Sequence, residues 1–312
     1  MSTAYLFSGQ GSQYVGMTKD LVETFEVARR MVETANQILG YDLHGIMTDG
    51  PEDELRKTKH TQPALFLHES ILVALTNHAH VAAVAGHSLG EFSALHAAGV
   101  LTFEDALRLV QTRAQLMFEA GDVIPGTMAA VVGLEDDAVR HICAELNGVD
   151  GNVLVPANFN SPGQVVISGS AEYVRACMPV FKERGAKMVK ELQVSGAFHS
   201  PLLQEAQQGL EEKIRTTTFS EPRIPVYVNV SASPVTSAEA LQECAIRQLT
   251  SPVLWTETIN AMWADGIRSF CEVGPGKVLQ GLVKRTLAEA TIDGLDTASD
   301  VERHNTQIQE QL

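Results

Sequence analysis

Gly86-His87-Ser88-Leu89-Gly90 follows directly on a short apolar run, Val81-Ala82-Ala83-Val84-Ala85. Small and β-branched residues in an unbroken run predict a buried strand. From Leu89 to Ala98 the pattern predicts a helix, and Gly99 suits the left-handed position beyond its end. Strand, tight turn and helix are the setting that a G-x-S-x-G nucleophile elbow requires. So sharp a turn demands neighbours almost without side chains, hence Gly86 and Gly90. It raises the Ser88 hydroxyl at a helix N-terminus, where unpaired N–H groups can receive developing negative charge. The same pattern also describes a Gly-rich turn with an idle serine, so the remainder of the chain must decide.

Composition narrows the choices. The 312 residues suffice for one large domain with a smaller insertion. No apolar run approaches the roughly 18 residues of a membrane span. The N-terminus lacks the basic stretch of a secretory signal, and Cys143, Cys177, Cys244 and Cys271 stand far apart without metal spacing. Both point to a cytoplasmic protein with free thiols. Net charge is −15 and no basic block stands out, which argues against nucleic acid. An anionic substrate would then need a local cation, so a buried arginine would be diagnostic.

Along the chain, Tyr5-Leu6-Phe7 starts a strand and runs into the loop Ser8-Gly9-Gln10-Gly11-Ser12-Gln13, whose N–H groups can point into a cavity. Residues 18–39 have the apolar spacing of one amphipathic helix. Thr61-Gln62-Pro63 opens a second helix, with Pro63 in its first turn. A third begins at Thr102, with Asp105 completing a capping pattern. Arg113 falls on that helix's apolar stripe with Leu109, Val110 and Met117, where an arginine is costly unless paired. A structural ion pair and a fork held open for a carboxylate fit it equally well. Residues 126–193 read β-α-β-β-α-β, the ferredoxin-like order, inserted into the rest. His199 stands on a loop just before Ser200 and Pro201, which suit the start of a helix. His87 adjoins Ser88, but the elbow is expected to point the two side chains apart. No acidic third member between Ser88 and His199 is evident. Arg268–Val273 reads as the final strand, and residues 291–312 as a polar, frayed tail.

Five stretches together resemble one family: SGQGSQ (8–13), TQPAL (61–65), GHSLGE (86–91), GAFHS (196–200) and EVGPGKVL (272–279). With Arg113 between them, they resemble the malonyl-CoA:acyl-carrier-protein transacylases over residues 4–287. The GAFHS form further resembles the free-standing, trans-acting acyltransferases of modular polyketide synthases. The resemblance implies an α/β fold. It has an α/β-hydrolase-like subdomain over 1–125 and 194–290, interrupted by the ferredoxin-like subdomain at 126–193. It implies Ser88 as nucleophile, His199 as general base and acid, and Arg113 as holder of the malonyl carboxylate. The N–H groups of Gln10 and Leu89 would form the oxyanion hole. The Gln248 carbonyl would orient His199 in place of an acid. Gln62, Met117, Asn160, Gln164 and Val278 would line the pocket. Phe198, beside the base, would border the acyl α-carbon and favour malonyl over methylmalonyl. Ser8 departs from the family, which usually carries proline there, an exchange expected to loosen the Gln10 loop.

The implied reaction is ping-pong transfer of malonyl from malonyl-CoA to the phosphopantetheine thiol of an acyl carrier protein. It requires no metal or redox cofactor, and a monomer is expected. Two other readings compete. An editing hydrolase on the same scaffold would strip acyl groups from carrier proteins, but would have no use for Arg113. A catalytically dead docking module would not need Ser88, His199 and Arg113 intact. A carrier protein is generally acidic, so a −15 enzyme must offer it local cations. Lys182, Arg184, Lys187, Lys190, Lys284 and Arg285 are the candidates.

Overall fold

The computed structural model describes residues 2–78, 80–194 and 196–310. Strand β1 (Thr3–Phe7) is buried from Ala4 onward. Its alternation sends Tyr5 and Phe7 into one hydrophobic cluster and Ala4 and Leu6 into another, so both faces are covered. The helix expected over 18–39 is instead two, α1 (Lys19–Thr24) and α2 (Glu26–Leu39). Phe25 leaves the helical region (φ −114°, ψ 128°) and packs its ring against the core. Gly40 then ends α2 at φ +78°. The short helices α3 (Leu43–Asp49) and α4 (Glu52–Leu55) are too brief for a period to reveal. Helix α5 (Thr58–Leu75) starts earlier than expected, so Pro63 sits in its second turn. Thr61 is no start signal, because its hydroxyl donates to the Leu55 carbonyl at 2.6 Å.

β2 (Val81–Gly86), α6 (Gly90–Ala97) and α7 (Phe103–Val123) follow. The Thr102 hydroxyl caps α7 by accepting the Asp105 N–H at 3.1 Å. The inserted segment comprises β3 (Gly126–Val132), α8 (Asp136–Leu146), β4 (Leu154–Ser161), β5 (Gln164–Ser170), α9 (Ala171–Glu183) and β6 (Met188–Glu191). Its antiparallel sheet has the order β4-β5-β3-β6 and its own core around Val131, Phe159, Ile167 and Phe181. Strand β4 runs on to Ser161, so only Pro162-Gly163 separates it from β5.

The chain then returns to the larger unit. A 3-10 turn at Pro201–Leu203 leads into α10 (Gln204–Thr216). Next come β7 (Val226–Val228), β8 (Ser233–Val235), α11 (Ala238–Arg247), α12 (Trp255–Ala264), β9 (Ser269–Val273) and α13 (Val278–Thr286). The expected frayed tail is ordered through residue 310; residues 311–312 lie outside the described residues. β10 (Thr291–Leu295) pairs with β9 in parallel, from Thr291 opposite Ser269 to Leu295 opposite Val273. α14 (Ala298–Gln309) opens with a capping box between Thr297 and Asp300. Its buried anchors are Ala298, Val301 and Ile308, too sparse for the sequence pattern to register.

The larger sheet has the order β10-β9-β1-β2-β7-β8, parallel except for the β7–β8 pair. One face packs against α2, α5, α6 and α7, and the other against α12 and α13. The carboxyl ends of β1, β2 and β7 lie side by side, the usual location of a site in an open α/β sheet. Among the described residues no helix is long and apolar enough to cross a membrane. No group of three His, Cys, Asp or Glu side chains there is placed to hold a metal.

Candidate active site

The elbow leaves β2 at Gly86. A Cβ at Gly86 would fall 1.8 Å from the Gly90 carbonyl carbon, and one at Gly90 would fall 2.2 Å from the Phe7 oxygen. Both positions therefore exclude every side chain. Ser88 between them has φ +53°, a left-handed conformation that costs about 1–3 kcal/mol for a residue of its kind.

Ser88 Oγ lies 2.8 Å from His199 Nε2. His199 Nδ1 is 3.1 Å from the carbonyl oxygens of both Gln248 and Ser251. Two carbonyls can only accept, so the proton sits on Nδ1 and the Nε2 lone pair faces the Ser88 hydroxyl. Main-chain carbonyls thus stand where an acidic third member would be, which is why none was evident in the sequence. The Ser251 carbonyl is an addition that no sequence signal indicated. Burial, and then the Arg113 charge, push His199 down to about 3. The ring is neutral at neutral pH and able to accept a proton.

Arg113 is 1% exposed. Nη1 donates to Gln62 Oε1 at 2.6 Å, and Nη2 donates to Gln248 Oε1 at 2.9 Å and Ser88 Oγ at 3.0 Å. Its Nε has no partner, and the guanidinium lies 5.7 Å from the centre of the Phe92 ring. None of its hydrogen-bond acceptors is a carboxylate. The buried Glu91 acts on it through space, while burial pushes Arg113 down to about 10, still charged at neutral pH. Of the two uses left open by the sequence, the structural ion pair is not what the guanidinium makes, since its direct partners are all neutral.

These groups border a cavity of about 160 Å³, joined there by Gln10, Leu89, Met117, Asn160 and Phe198. Two predicted lining residues are elsewhere. Gln164, at the start of β5, accepts from Arg285 Nη1 at 2.6 Å, and Val278 is 48% exposed at the start of α13. Beside Asn160, the inserted unit also contributes Met128, Asn158, Val166 and Leu192 to the wall, residues with no distinguishing signal in the sequence. His87 also lines the cavity rather than pointing away, and its Nε2 is 2.8 Å from Asn160 Oδ1. A second cavity of about 290 Å³ shares Gln10 and Val194 with the first and reaches Arg56, Lys57 and Phe118. A larger hollow of about 620 Å³, beside the C-terminal ends of α5 and α6, holds none of the predicted site residues.

The N–H groups of Leu89 and Gln10 find no acceptor among the described residues, whereas the Ser88 N–H donates to Asn229 Oδ1 at 2.8 Å. Gln10 and Leu89 line the same cavity as Ser88. The Gln10 loop is not loosened by Ser8. The Ser8 hydroxyl is fully buried and donates to Glu69 Oε1 at 2.7 Å, which ties the loop to α5. Burial pushes Glu69 up to about 8, so the tie is made without a fixed buried charge at neutral pH.

A family description, acyl transferase domain, matches residues 4–310. A malonyl CoA-acyl carrier protein transacylase of Escherichia coli is 41% identical over 299 residues, covering 95% of this chain and 96% of that protein. Its counterpart in Bacillus subtilis is 40% identical over 284 residues, covering 90% and 89%. An acyl carrier protein S-malonyltransferase structure from Vibrio cholerae superposes with a TM-score of 0.91 at 40% identity, over 97% of this chain and 99% of that one. A malonyl-transacylase solved in complex with a type II PKS acyl-carrier protein gives 0.92 at 37% identity, over 98% and 100%.

Proposed function

The chain belongs to the acyl transferase domain family, and on that premise we propose that it transfers malonyl from malonyl-CoA to the phosphopantetheine thiol of an acyl carrier protein. The observation that carries this reading is Arg113, a buried guanidinium bonded only to neutral groups and touching the nucleophile itself.

His199 Nε2 takes the Ser88 proton as Oγ attacks the thioester carbonyl carbon. The tetrahedral oxyanion is met by the Leu89 and Gln10 N–H groups, donors typically worth about 3–4 kcal/mol each. Collapse breaks the C–S bond, and the imidazolium gives its proton to the departing CoA thiolate, which leaves as the thiol. The carrier thiol then repeats the sequence on the malonyl-Ser88 ester, with His199 again as base. The free carboxylate sits on Arg113 throughout, displacing the neutral acceptors. Every chemical role is filled by a group of this chain, so no metal or redox cofactor is called for. We place the protein in the cytoplasm, where malonyl-CoA and carrier proteins meet.

An editing hydrolase is disfavoured by the same arginine, since a neutral acyl chain would leave its charge buried and unpaired. The two readings separate in one experiment. Malonyl-loaded enzyme is offered carrier protein, and the ratio of malonyl-carrier to free malonate is measured. Transfer should dominate; release of free malonate as the chief product would favour the hydrolase.

Phe198 sets the acyl choice. Its ring is 6% exposed, borders the cavity and packs so closely over Gly196 that a Cβ there would meet it at 2.9 Å. A substrate α-methyl must displace a ring held by the loop that carries His199. One methyl is worth about 1–3 kcal/mol in such a pocket, or roughly 10- to 200-fold. Phe198→Ser should narrow the malonyl-to-methylmalonyl ratio of kcat/KM by up to that factor. An unchanged ratio would show that the ring does not read the α-carbon.

A further inference from the structure

We propose that Asn229 is the positioning residue that holds the Ser88 elbow in its strained conformation, with the buried Glu91 carboxylate fixing Asn229 in turn; this rests on Ser88 being the nucleophile. The parallel pairing of β2 with β7 ends at Ala85 opposite Tyr227. Beyond it, the peptide groups of the elbow have lost their ladder partner. Asn229, just past β7 and 0% exposed, replaces that partner with its side chain. Its Nδ2 donates to the Gly86 carbonyl at 2.6 Å, and its Oδ1 accepts the Ser88 N–H at 2.8 Å. One planar amide thus clasps the backbone on both sides of His87. Donor toward carbonyl and acceptor toward N–H also leave only one orientation of the amide.

The clasp is itself anchored. The Asn229 N–H donates to Glu91 Oε2 at 2.6 Å, and the Asn229 carbonyl accepts from the Leu254 N–H at 3.1 Å. Every polar group of this buried residue is therefore engaged. Glu91 also reaches the elbow from the other side, since its N–H donates to the Ser88 carbonyl at 3.2 Å. The arrangement has a chemical consequence. With its N–H committed to Asn229, Ser88 contributes no oxyanion donor of its own, and Oγ is aimed at His199 and Arg113. A left-handed serine persists only where its surroundings over-determine it, and Asn229 supplies that restraint.

Rapid-quench acylation by malonyl-CoA tests the assignment, with Kd for malonyl-CoA measured in the Ser88→Ala background. Asn229→Ala should acylate about 100-fold more slowly at saturating malonyl-CoA, the scale of a 1 Å misplacement, while Kd moves less than about threefold. Glu91→Ala should lose about tenfold, and Glu91→Gln should regain most of it because an amide oxygen still accepts the Asn229 N–H. Acylation of Asn229→Ala at the wild-type rate, or a parallel decline of rate and affinity, would overturn the proposal. Should Asn229→Ala fail to fold, the Glu91 pair decides: rescue by glutamine supports the clasp, and equal rates for alanine and glutamine refute it. Wild-type enzyme forming no malonyl-Ser88 would overturn the functional reading and this proposal together. An acylating wild type beside an unaffected Asn229→Ala overturns this proposal alone.

Discussion

His199→Ala should retain malonyl-CoA binding while acylating Ser88 about 100- to 10,000-fold more slowly, the usual worth of a positioned general base. The expectation follows from the 2.8 Å contact between Ser88 Oγ and His199 Nε2 and from the two carbonyls that fix the tautomer. The same geometry sets the pH profile. Burial and then Arg113 hold His199 at about 3, far below its ordinary 6.5. The acid limb of kcat/KM reports the free enzyme's base, so it should lie well below 6.5. The stability term has the matching sign. With a folded pKa below the unfolded one, the contribution is complete above 6.5 and is lost as the pH falls from there toward 3. Rapid-quench rates from pH 5 to 8 check this, and an acid limb centred near 6.5 would contradict the neutral, buried base.

Arg113→Ala should cost about 3 kcal/mol or more in kcat/KM for malonyl-CoA, roughly 100-fold or more, because a desolvated charge pair loses one partner. Acetyl-CoA has no carboxylate to lose and should decline much less, so the malonyl-to-acetyl ratio collapses. The acid limb should also move upward, since the second cause of the low His199 pKa is gone. Competing the two thioesters in one reaction measures the ratio directly. Parallel decline of both would make Arg113 a structural residue. The variant leaves the buried Glu91 without its nearby cation, so thermal unfolding should accompany the assay.

Much of this site was legible in the sequence because its chemistry depends on local constraint. Gly86 and Gly90 mark the elbow through close approach, and Arg113 stands out as a charge within an apolar stripe. The inserted unit could be read from its β-α-β-β-α-β order, and the α/β class and the Ser88–His199 pairing through the family resemblance. What escaped depends on tertiary placement. The family resemblance put Val278 and Gln164 in the pocket, yet one faces solvent and the other is held by Arg285. Asn229 carried no signal of its own in the sequence, since its function arises only where β7 ends beside β2. The ordered β10 and α14 escaped because an edge strand and a helix anchored by few apolar residues carry weak periodicity.

Intact-protein mass spectrometry with peptide mapping, after brief incubation with malonyl-CoA, tests the central claim most directly. One malonyl group should appear on the wild-type chain, map to Ser88, disappear when carrier protein is added, and be absent from Ser88→Ala. A malonyl group that maps to another residue, or that persists on Ser88→Ala, would contradict the account.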